Sequence, residues 1–426
     1  MNMTIFRRLL LILFLAITSL AYVKAENGIN SPYSRYGLGS LSNQSLGINR
    51  QMGGLGYGLR SDKYINIINP ASFSQADTLT MLFEAGFSLQ NTNFKEGNKR
   101  VFANNAGFDY VAMQFRLCKG LGMSIGFLPY SNVGYSFSQS VDATANEAHT
   151  DTYSGSGGIY QPYVGIGWQP FAFLNIPALS NLSIGVTGAY IYGDIDHSIA
   201  YDFINSTDRS RNYNISIRNY KVDFGLQYRI SFNKKNSITL GGAYSLGHNL
   251  SAKTSLTESN SSSTNTTEFN SGFYLPNTYG GGFIYNYNDQ WKFGADYTYE
   301  AWSTSTFIDG DGTGTNRSKA SVGIEYTPTE ISGNIFKMIS YRGGVHYAQP
   351  YTTIGSNNGC NEYGISAGIS LPFMNRNNKY SHAALHISGE YTHLSPKAAG
   401  MISENCIRLN VGITFNETWF TKMKVR

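Results

Sequence analysis

The sequence predicts an all-β protein, a transmembrane antiparallel β-barrel of about fourteen strands with an N-terminal hatch inside the lumen. Apolar and polar side chains alternate in runs of about ten residues through most of the chain, behind a leader segment. A strand places successive side chains on opposite faces, so each run has one apolar face, which suits a wall in contact with lipid. The last run shows the pattern with the apolar residues Ile407, Leu409, Val411, Ile413 and Phe415.

The first residues predict secretion. Arg7 and Arg8 precede an uncharged stretch over residues 9–23, and Val23-Lys24-Ala25 resembles a cleavage site with small residues. We therefore predict a signal peptide over residues 1–25, with a retained N-terminal helical anchor as the alternative. Beyond this segment no uncharged run is long enough to cross a bilayer as a helix. The expected location is the bacterial outer membrane, with its lipid as a partner.

The composition agrees with a barrel wall. The chain has 31 Tyr, 25 Phe and 46 Gly residues but only 14% charged residues, as expected for aromatic girdles and closely packed strands. Removal of Arg7, Arg8 and Lys24 with the leader lowers the formal net charge from +5 to +2, which gives no reason to expect a nucleic-acid partner. Three cysteines are too few for a disulfide scaffold, and a bridge between Cys360 and Cys406 stays open.

The alternating runs predict fourteen strands, an even number, as closure of an antiparallel barrel with both ends on one side requires. The predicted spans are 79–94, 107–118, 121–137, 158–169, 181–197, 213–232, 237–252, 278–288, 291–303, 318–328, 339–351, 361–372, 382–392 and 404–415.

The lengths of the connections predict the orientation. Connections after even-numbered strands include the short turns at 119–120, 233–236 and 289–290, whereas the connections at 253–277 and 303–317 are long and rich in Ser, Asn and Thr. Outer-membrane barrels have short periplasmic turns and long external loops. Three connections after even-numbered strands, near 170–180, 329–338 and 373–381, are exceptions, because each has about ten residues.

The apolar face must point outward, so the other face lines the lumen. Charged residues of both signs then face inward and are expected to pair with one another and with a plug. The predicted luminal residues are Lys221, Asp223, Gln227, Arg229, Lys292, Asp296, Glu300, Glu325, Arg342, His346, His386, Glu390 and Arg408.

We predict no enzymatic activity, cofactor or metal. His386 and Ser388 share one face of a strand, but alternate residues lie about 7 Å apart, too far for a direct bond between nucleophile and base. The residues from Asp309 to Gly312 resemble the start of a calcium loop, yet Ala320 stands where the bidentate Glu is needed.

Residues 26–78 precede the first strand and are predicted to form the hatch, with the barrel over 79–415 and a periplasmic tail over 416–426. The stretch 50–58 is rich in glycine, which allows a backbone to fold tightly inside a narrow lumen, and Asn69-Pro70-Ala71 follows it. The spacing of these glycines also resembles a phosphate-binding turn, but no preceding strand or acidic ribose partner supports that alternative.

The chain resembles the FadL-like family of outer-membrane transporters for long-chain fatty acids and other hydrophobic compounds. The resemblance rests on the glycine-rich start, on Asn69, Pro70 and Ala71, and on the even barrel of fourteen strands. It implies a hatch that carries the Asn-Pro-Ala motif and a kink in the third strand that opens a lateral route into the bilayer. Pro129 lies in the predicted third strand and cannot donate a ladder hydrogen bond.

The opening residues 30–39 and the closing residues 408–420 resemble the Bacteroidetes branch of this group. That branch includes barrels that act in secretion or assembly, such as the type-nine secretion shuttle barrel. The resemblance therefore implies the fold more firmly than the substrate.

Two functions follow as alternatives. The first is a passive channel for a hydrophobic ligand, with a route through the wall lined by Phe127, Leu128, Pro129, Tyr130, Tyr135 and Phe137. The second is a non-enzymatic subunit of an outer-membrane secretion or assembly complex, with Trp419 and Phe420 in the tail as docking candidates for protein partners. The same aromatic residues could serve as membrane-interface anchors in either case.

Overall fold

The structure is a computed structural model of the full 426-residue chain. It describes residues 29–78, 80–141, 148–174, 176–203, 209–305, 307, 313–328, 337–354, 357–374, 382–398 and 400–418. The predicted signal peptide lies outside the described residues. The described helices are short: α-helical turns at Gly47–Gln51 and Pro177–Ser180, and 3-10 helices at Pro32–Arg35, Pro70–Gln75 and Trp302–Thr304. Among the described residues, no helix has the length and apolar character needed to span a membrane.

Fourteen strands close into an antiparallel barrel, as the sequence predicts. Each strand pairs with its neighbours in chain order, and β14 returns to pair with β1 from Thr418↔Thr80 to Ser403↔Lys95. The strands are β1 Thr80–Glu96, β2 Lys99–Cys118, β3 Leu121–Val141, β4 His149–Trp168, β5 Leu182–Phe203, β6 Arg209–Ser231, β7 Ser237–Ser245, β8 Thr278–Tyr287, β9 Trp291–Glu300, β10 Arg317–Tyr326, β11 Ser340–Ala348, β12 Asn361–Met374, β13 His382–Ser395 and β14 Ser403–Thr418.

The side chains of the wall alternate between an apolar outer face and a polar inner face. On β5, Ile184, Val186 and Tyr190 are exposed on the outside, whereas Ser183 and Thr187 are buried inside. The predicted luminal charges on the later strands are likewise buried, namely Asp296, Glu325, Arg342, His346, His386 and Glu390. The exposed apolar side chains continue around the wall, as a lipid-facing surface requires.

This polarity inverts in the outer part of β5 and β6, which the sequence analysis did not anticipate. Beyond Tyr190 on β5, Ile191 and Ile195 are buried inside while Asp194 is exposed outside. An outward apolar face suits lipid, and an outward charged face suits water. The strands therefore rise above the apolar band and form what we call the outer extension, a β-structure with a dry interior. On β6, Ile215 and Ile217 face its interior.

The predicted loop at 253–277 is wrong. His248–Ser259 and Thr264–Leu275 form an antiparallel hairpin, and Ser210–Ile217 of β6 pairs with its first strand. The Ser-, Thr- and Asn-rich residues 260–270 around the tip of this hairpin are exposed to solvent, whereas Thr254 is buried. The hairpin therefore belongs to the outer extension.

The short turns lie where the sequence predicts them. β8 and β9 are joined through Asn288 and Asp289, which both have positive φ angles of 54° and 55°. Two successive residues in this region form the turn that matches the twist of a tight hairpin. The connection after β4 contains turns and the helix Pro177–Ser180, so this exception to the short-turn rule remains.

The segment before β1 fills the lumen. We call residues 29–78 the hatch; most of its side chains are buried, including Leu46, Met52, Leu59 and Phe73. Gly53 shows why its glycine-rich stretch is needed. The φ angle of Gly53 is +72°, and a Cβ there would lie 2.9 Å from the Val345 carbonyl oxygen of β11.

Gly185 on the inner face of β5 is a second point of close approach, and it yields a prediction. A Cβ at Gly185 would lie 2.3 Å from the Pro70 carbonyl carbon of the hatch, whereas a Cβ at Gly188, which faces outward on the same strand, meets no atom within 4 Å. We expect Gly185→Val to destabilise the seated hatch by roughly 1–3 kcal/mol because the wall and the hatch would be overpacked. Limited proteolysis of the folded barrel should cut the hatch faster in Gly185→Val, while the control Gly188→Val should match the wild type. Equal cleavage of the two variants would contradict this account of the packing.

Candidate functional site

The barrel ladder is incomplete between β2 and β3. These two strands pair from Cys118↔Leu121 to Val111↔Phe127, and no pair follows. In contrast, β2 pairs with β1 out to Lys99, and β3 pairs with β4 out to Val141. The outer halves of β2 and β3 are therefore separated in the described part of the wall. We call this gap the side opening, bounded by residues 99–110 of β2 and 128–141 of β3.

Pro129 lies just beyond the point where β3 ceases to pair with β2. The register between β3 and β4 shifts between Pro129 and Ser131, so Tyr130 is an extra residue in a bulge. Leu128 and Tyr130 are both buried, although successive residues of a regular strand point to opposite faces. The structure thus contains a bulge in β3 next to the proline.

The hatch occupies the edge of β3 that β2 does not use. Ser40↔Asn132 and Leu41↔Ser131 form a short antiparallel pair. On either side, the Ser31 amide donates to the Gly134 carbonyl oxygen at 2.8 Å, and the Ser42 amide donates to the Tyr130 carbonyl oxygen at 2.9 Å. The backbone edge of β3 is therefore satisfied from inside the barrel.

A row of aromatic rings crosses the base of the side opening. The ring centroids of Phe87 and Phe108 lie 5.6 Å apart, those of Phe108 and Phe127 lie 6.2 Å apart, and Phe127 stacks on Tyr160 at 5.6 Å. Phe108 is 40% exposed. This row places apolar surface on the outside of the wall at the base of the opening.

A cavity of 770 Å³ connects the interior with the side opening. Hatch residues such as Ser31 and Ile68 line its inner part. At its outer limit it reaches Ala106 and Phe108 on β2 and Tyr160 on β4. Of the six predicted ligand-lining residues, Leu128, Pro129 and Tyr130 line this cavity.

The deeper wall of the cavity carries charges of both signs, and most of them are paired. Lys221 lies 2.5 Å from Asp223, and Arg317 lies 3.0 Å from Glu300. Pairing offsets the cost of placing these charges away from bulk water. The centre of the lumen is therefore polar, as the sequence predicts, and the part near β3 is apolar.

An ion pair ties the hatch to β2 at the base of the opening. Arg50 Nη1 lies 2.8 Å from Asp109 Oδ2, and the two side chains are only 4% and 13% exposed. Asp109 is the extra residue where the register between β1 and β2 shifts, since Gly86 pairs with Tyr110 and Phe87 with Phe108. The contact is an ion pair without the alignment of a hydrogen bond, and Ser88 Oγ donates to the other carboxylate oxygen at 3.0 Å.

The Asn-Pro-Ala motif joins the hatch to the opposite wall. The Asn69 side chain is fully buried, and its amide nitrogen donates to the carbonyl oxygens of Leu226 at 3.0 Å and Gly242 at 3.2 Å. Its Oδ1 accepts from the Ala71 amide at 3.1 Å and caps the short helix Pro70–Gln75. Proline at the first position needs no hydrogen-bond partner for its nitrogen.

Several further contacts seat the hatch, and sequence reasoning did not identify them. Asp296 Oδ2 accepts from the Gly56 and Tyr57 amides at 2.6 and 3.0 Å, and Glu84 accepts from the Ile65 amide at 2.9 Å. Buried carboxylates on an inner barrel face are the available sequence signal, because they require partners. The sequence alone does not show that the partners are backbone amides of the hatch.

The remaining predicted route residues lie elsewhere. Phe127 belongs to the outer aromatic row. Tyr135 is buried in the outer extension, where its hydroxyl lies 2.7 Å from His197 Nδ1, and Phe137 packs beside it and stacks on Tyr153 at 5.2 Å. This apolar cluster also contains Tyr130 at the side opening. The predicted docking residues Trp419 and Phe420 lie outside the described residues.

The cysteines are free thiols in the described structure, so a Cys360–Cys406 bridge is absent there. Burial raises the pKa of Cys360, in the connection before β12, to about 11, so this thiol stays protonated at neutral pH. The described residues contain no cluster of potential metal ligands. The predicted acidic loop tip at 309–312 falls outside them.

The buried pair Arg50–Asp109 yields a second prediction. Removing one partner leaves the other charge buried without compensation, so Asp109→Leu and Arg50→Met should each destabilise the protein by roughly 3–5 kcal/mol. The double variant should recover part of this loss, because neither charge remains. Denaturant unfolding in detergent, analysed as a double-mutant cycle, measures the coupling. Additive effects of the two substitutions would show that the ion pair contributes nothing to seating the hatch.

Comparison with solved structures shows the same fold in channels and transporters of very different sequence. The CymD monoaromatic hydrocarbon channel aligns with a TM-score of 0.57 and 14% identity, over 91% of this chain and all of that chain. The P. putida toluene transporter TodX aligns with a TM-score of 0.55 and 13% identity, over 91% of this chain and all of that chain. A Pseudomonas aeruginosa FadL homologue gives a TM-score of 0.55 and 12% identity, over 89% and 98% of the two chains.

At these identities the similarity shows the fold alone. No curated protein matches the sequence. A profile of one protein family, however, matches residues 5–426 and therefore nearly the whole chain. The chain belongs to the BamG family.

Proposed function

We propose that this protein is an outer-membrane barrel that passes hydrophobic small molecules passively from the cell exterior into the bilayer through the side opening. The observation that carries the proposal is the cavity that runs from the hatch to the gap between β2 and β3. The fold shared with CymD, TodX and the FadL homologue supports it.

An apolar track supports a lateral route. The outer extension is filled by an apolar cluster that includes Leu38 of the hatch and Trp302 and Tyr351 from the outer connections. Tyr130 belongs to this cluster and also lines the cavity, next to Leu128. A hydrophobic molecule could therefore move from the cluster to the side opening without crossing the charged centre of the lumen. Its movement would follow its concentration gradient and its partition into lipid.

Gly107 on β2 provides a direct test of the route. A Cβ at Gly107 would meet only Ser88 Oγ, at 3.9 Å, so the opening has room for a larger side chain. We expect Gly107→Trp to fill the gap and to lower uptake of a hydrophobic compound several-fold. Gly188→Trp adds the same side chain to the outer face of β5, where no atom lies within 4 Å, and should leave uptake unchanged.

Uptake by intact cells, compared with a clean deletion, measures these effects. Pro129→Ala and Asn69→Ala complete the series, since they alter the bend of β3 and the hydrogen bonds of the hatch. Unchanged uptake in the deletion strain would refute the transport proposal and leave the architecture untouched.

Membership of the BamG family favours a second candidate, a non-enzymatic accessory subunit of an outer-membrane assembly complex. The hatch contacts support this candidate as well, because a plugged and firmly seated lumen serves a scaffold as readily as a gated channel. The resemblance to secretion shuttle barrels stays a prediction.

The assembly candidate predicts partners and a defect in other barrels. Purification in mild detergent should yield proteins in fixed stoichiometry with the chain, and depletion should lower the folded fraction of unrelated outer-membrane barrels. Heat-modifiable migration on gels measures that folded fraction. A purified chain that carries lipid but no stoichiometric protein, together with normal folding of other barrels after depletion, would exclude this role.

A further inference from the structure

Two arginines meet at the end of the barrel where the tight turns lie. We call this end the short-turn rim and define it by the turns at 119–120, 232–236 and 288–290. Arg60 is part of the hatch, and Arg229 is on β6, shortly before the turn at 232–236. The side opening lies between the outer halves of β2 and β3, so it is at the other end of the wall from this rim.

Contacts with neighbouring residues bring the two arginines together. Gln227 of β6 faces the lumen, where its amide nitrogen donates to the Leu59 carbonyl oxygen of the hatch at 3.0 Å. Arg229 shares this face, because alternate residues of a strand point to the same side. Arg60 Nη1 donates to the Asn181 carbonyl oxygen at 3.3 Å, and the Arg229 backbone amide donates to the same oxygen at 3.3 Å. The two side chains therefore lie next to each other at the mouth of the lumen.

The positive charge of Arg60 has no counter-charge within the described part of the chain. A guanidinium group has five N–H donors, and Arg60 uses one of them, for the bond to Asn181. Arg60 Nε is buried without a hydrogen-bond partner. Among the described residues no carboxylate forms an ion pair with Arg60 or Arg229, and the exposed Asp62 pairs with neither.

The electrostatics of the short-turn rim favour an anion. Three cations elsewhere in the lumen lie within 3.0 Å of a carboxylate oxygen, namely Lys292, Arg317 and Arg342. Burial and then the charge of Arg229 lower the pKa of Arg60 to about 10, so Arg60 stays charged at neutral pH without such a partner. An uncompensated charge away from bulk water is costly. Lys234 and Lys235 are exposed in the adjoining turn and add to the positive potential of the rim.

We infer that Arg60 and Arg229 form a binding site for a phosphate group at the short-turn rim. The planar fork of an arginine donates parallel N–H bonds to two phosphate oxygens, and two adjacent guanidinium groups suit the charge of a phosphate. Inorganic phosphate and the head group of a phospholipid offer the same chemistry. The inference goes beyond both candidate functions, because neither of them uses an anion at this end of the barrel.

A phosphate bound here would connect the hatch to the wall, since Arg60 belongs to the hatch and Arg229 to β6. A ligand that binds only when both arginines are in place stabilises the seated hatch. Phosphate should therefore slow limited proteolysis of the hatch in the wild type, and this protection should be lost in Arg229→Gln. The effect gives a second readout besides binding itself.

Calorimetric titration of the full-length barrel with inorganic phosphate, in lipid-free detergent and phosphate-free buffer, tests the inference. We expect Arg60→Gln and Arg229→Gln each to weaken binding by about tenfold, because each removes charged hydrogen bonds to the anion. The matched control is Arg116→Gln, which removes an arginine of the same rim whose guanidinium already bonds to the Cys118 carbonyl and the Thr78 hydroxyl. Phosphate affinity of this control should equal that of the wild type.

A lipid arm distinguishes the two sources of the phosphate group. Native mass spectrometry counts the phosphatidylglycerol molecules that each variant retains from mixed micelles. Retention that is lost in Arg60→Gln and Arg229→Gln identifies a lipid head group, whereas phosphate binding without retained lipid identifies a soluble anion. Heat-modifiable migration verifies folding, and Arg229 is exposed, so its variant keeps the test valid if Arg60→Gln fails to fold.

The inference would be overturned if the wild type bound neither probe. Equal phosphate affinity and equal lipid retention in Arg229→Gln and Arg116→Gln would overturn it as well. The result is separable from the transport proposal, because Gly107→Trp can lower uptake whether or not the rim binds phosphate.

Discussion

Backbone pairing is the constraint on which the rest of this structure depends. A wall that faces lipid must satisfy every N–H and C=O group within the protein, and closure of β14 on β1 does so around most of the barrel. The exception is the gap between β2 and β3, where the hatch substitutes for a missing strand along one side. The hatch is therefore part of the hydrogen-bonded wall as well as a plug of the lumen.

The contacts of the hatch explain how one segment can serve both roles. Asn69 bonds to wall carbonyls on β6 and β7, Asp296 on β9 accepts from hatch amides, and Arg50 pairs with Asp109 on β2. These anchors lie on widely separated strands, so movement of the hatch at one point is resisted at the others. The Arg50–Asp109 pair lies at the base of the side opening, which makes it the contact through which the hatch and the gap would be coupled in either proposed role.

Much of the architecture could be predicted from the sequence, because alternation has a fixed period and fourteen runs can be counted. The site was less accessible. Pro129 marked the bend of β3, but the break in the ladder depends on which strand pairs with which, and alternation within β2 carries no information about that. The sequence predicts a loop at 253–277, within most of the hairpin 248–275, because polar residues on both faces signal solvent, and a strand above the apolar band shares that composition. One signal in the sequence marks the outer extension: on β5 the apolar residues change from even numbers, such as Val186 and Tyr190, to odd numbers, such as Ile191 and Ile195, while the buried positions stay odd.

The exchange of apolar and polar faces along β5 has a mechanical consequence. Below it β5 presents Val186 outward, and above it the same strand presents Asp194 outward. If the barrel moved along the membrane normal by the length of two strand residues, either aspartate side chains at one rim would enter the lipid or apolar side chains at the other rim would be exposed to water. The position of the barrel along the membrane normal is thus fixed by its apolar band, and so is the level of the side opening relative to that band.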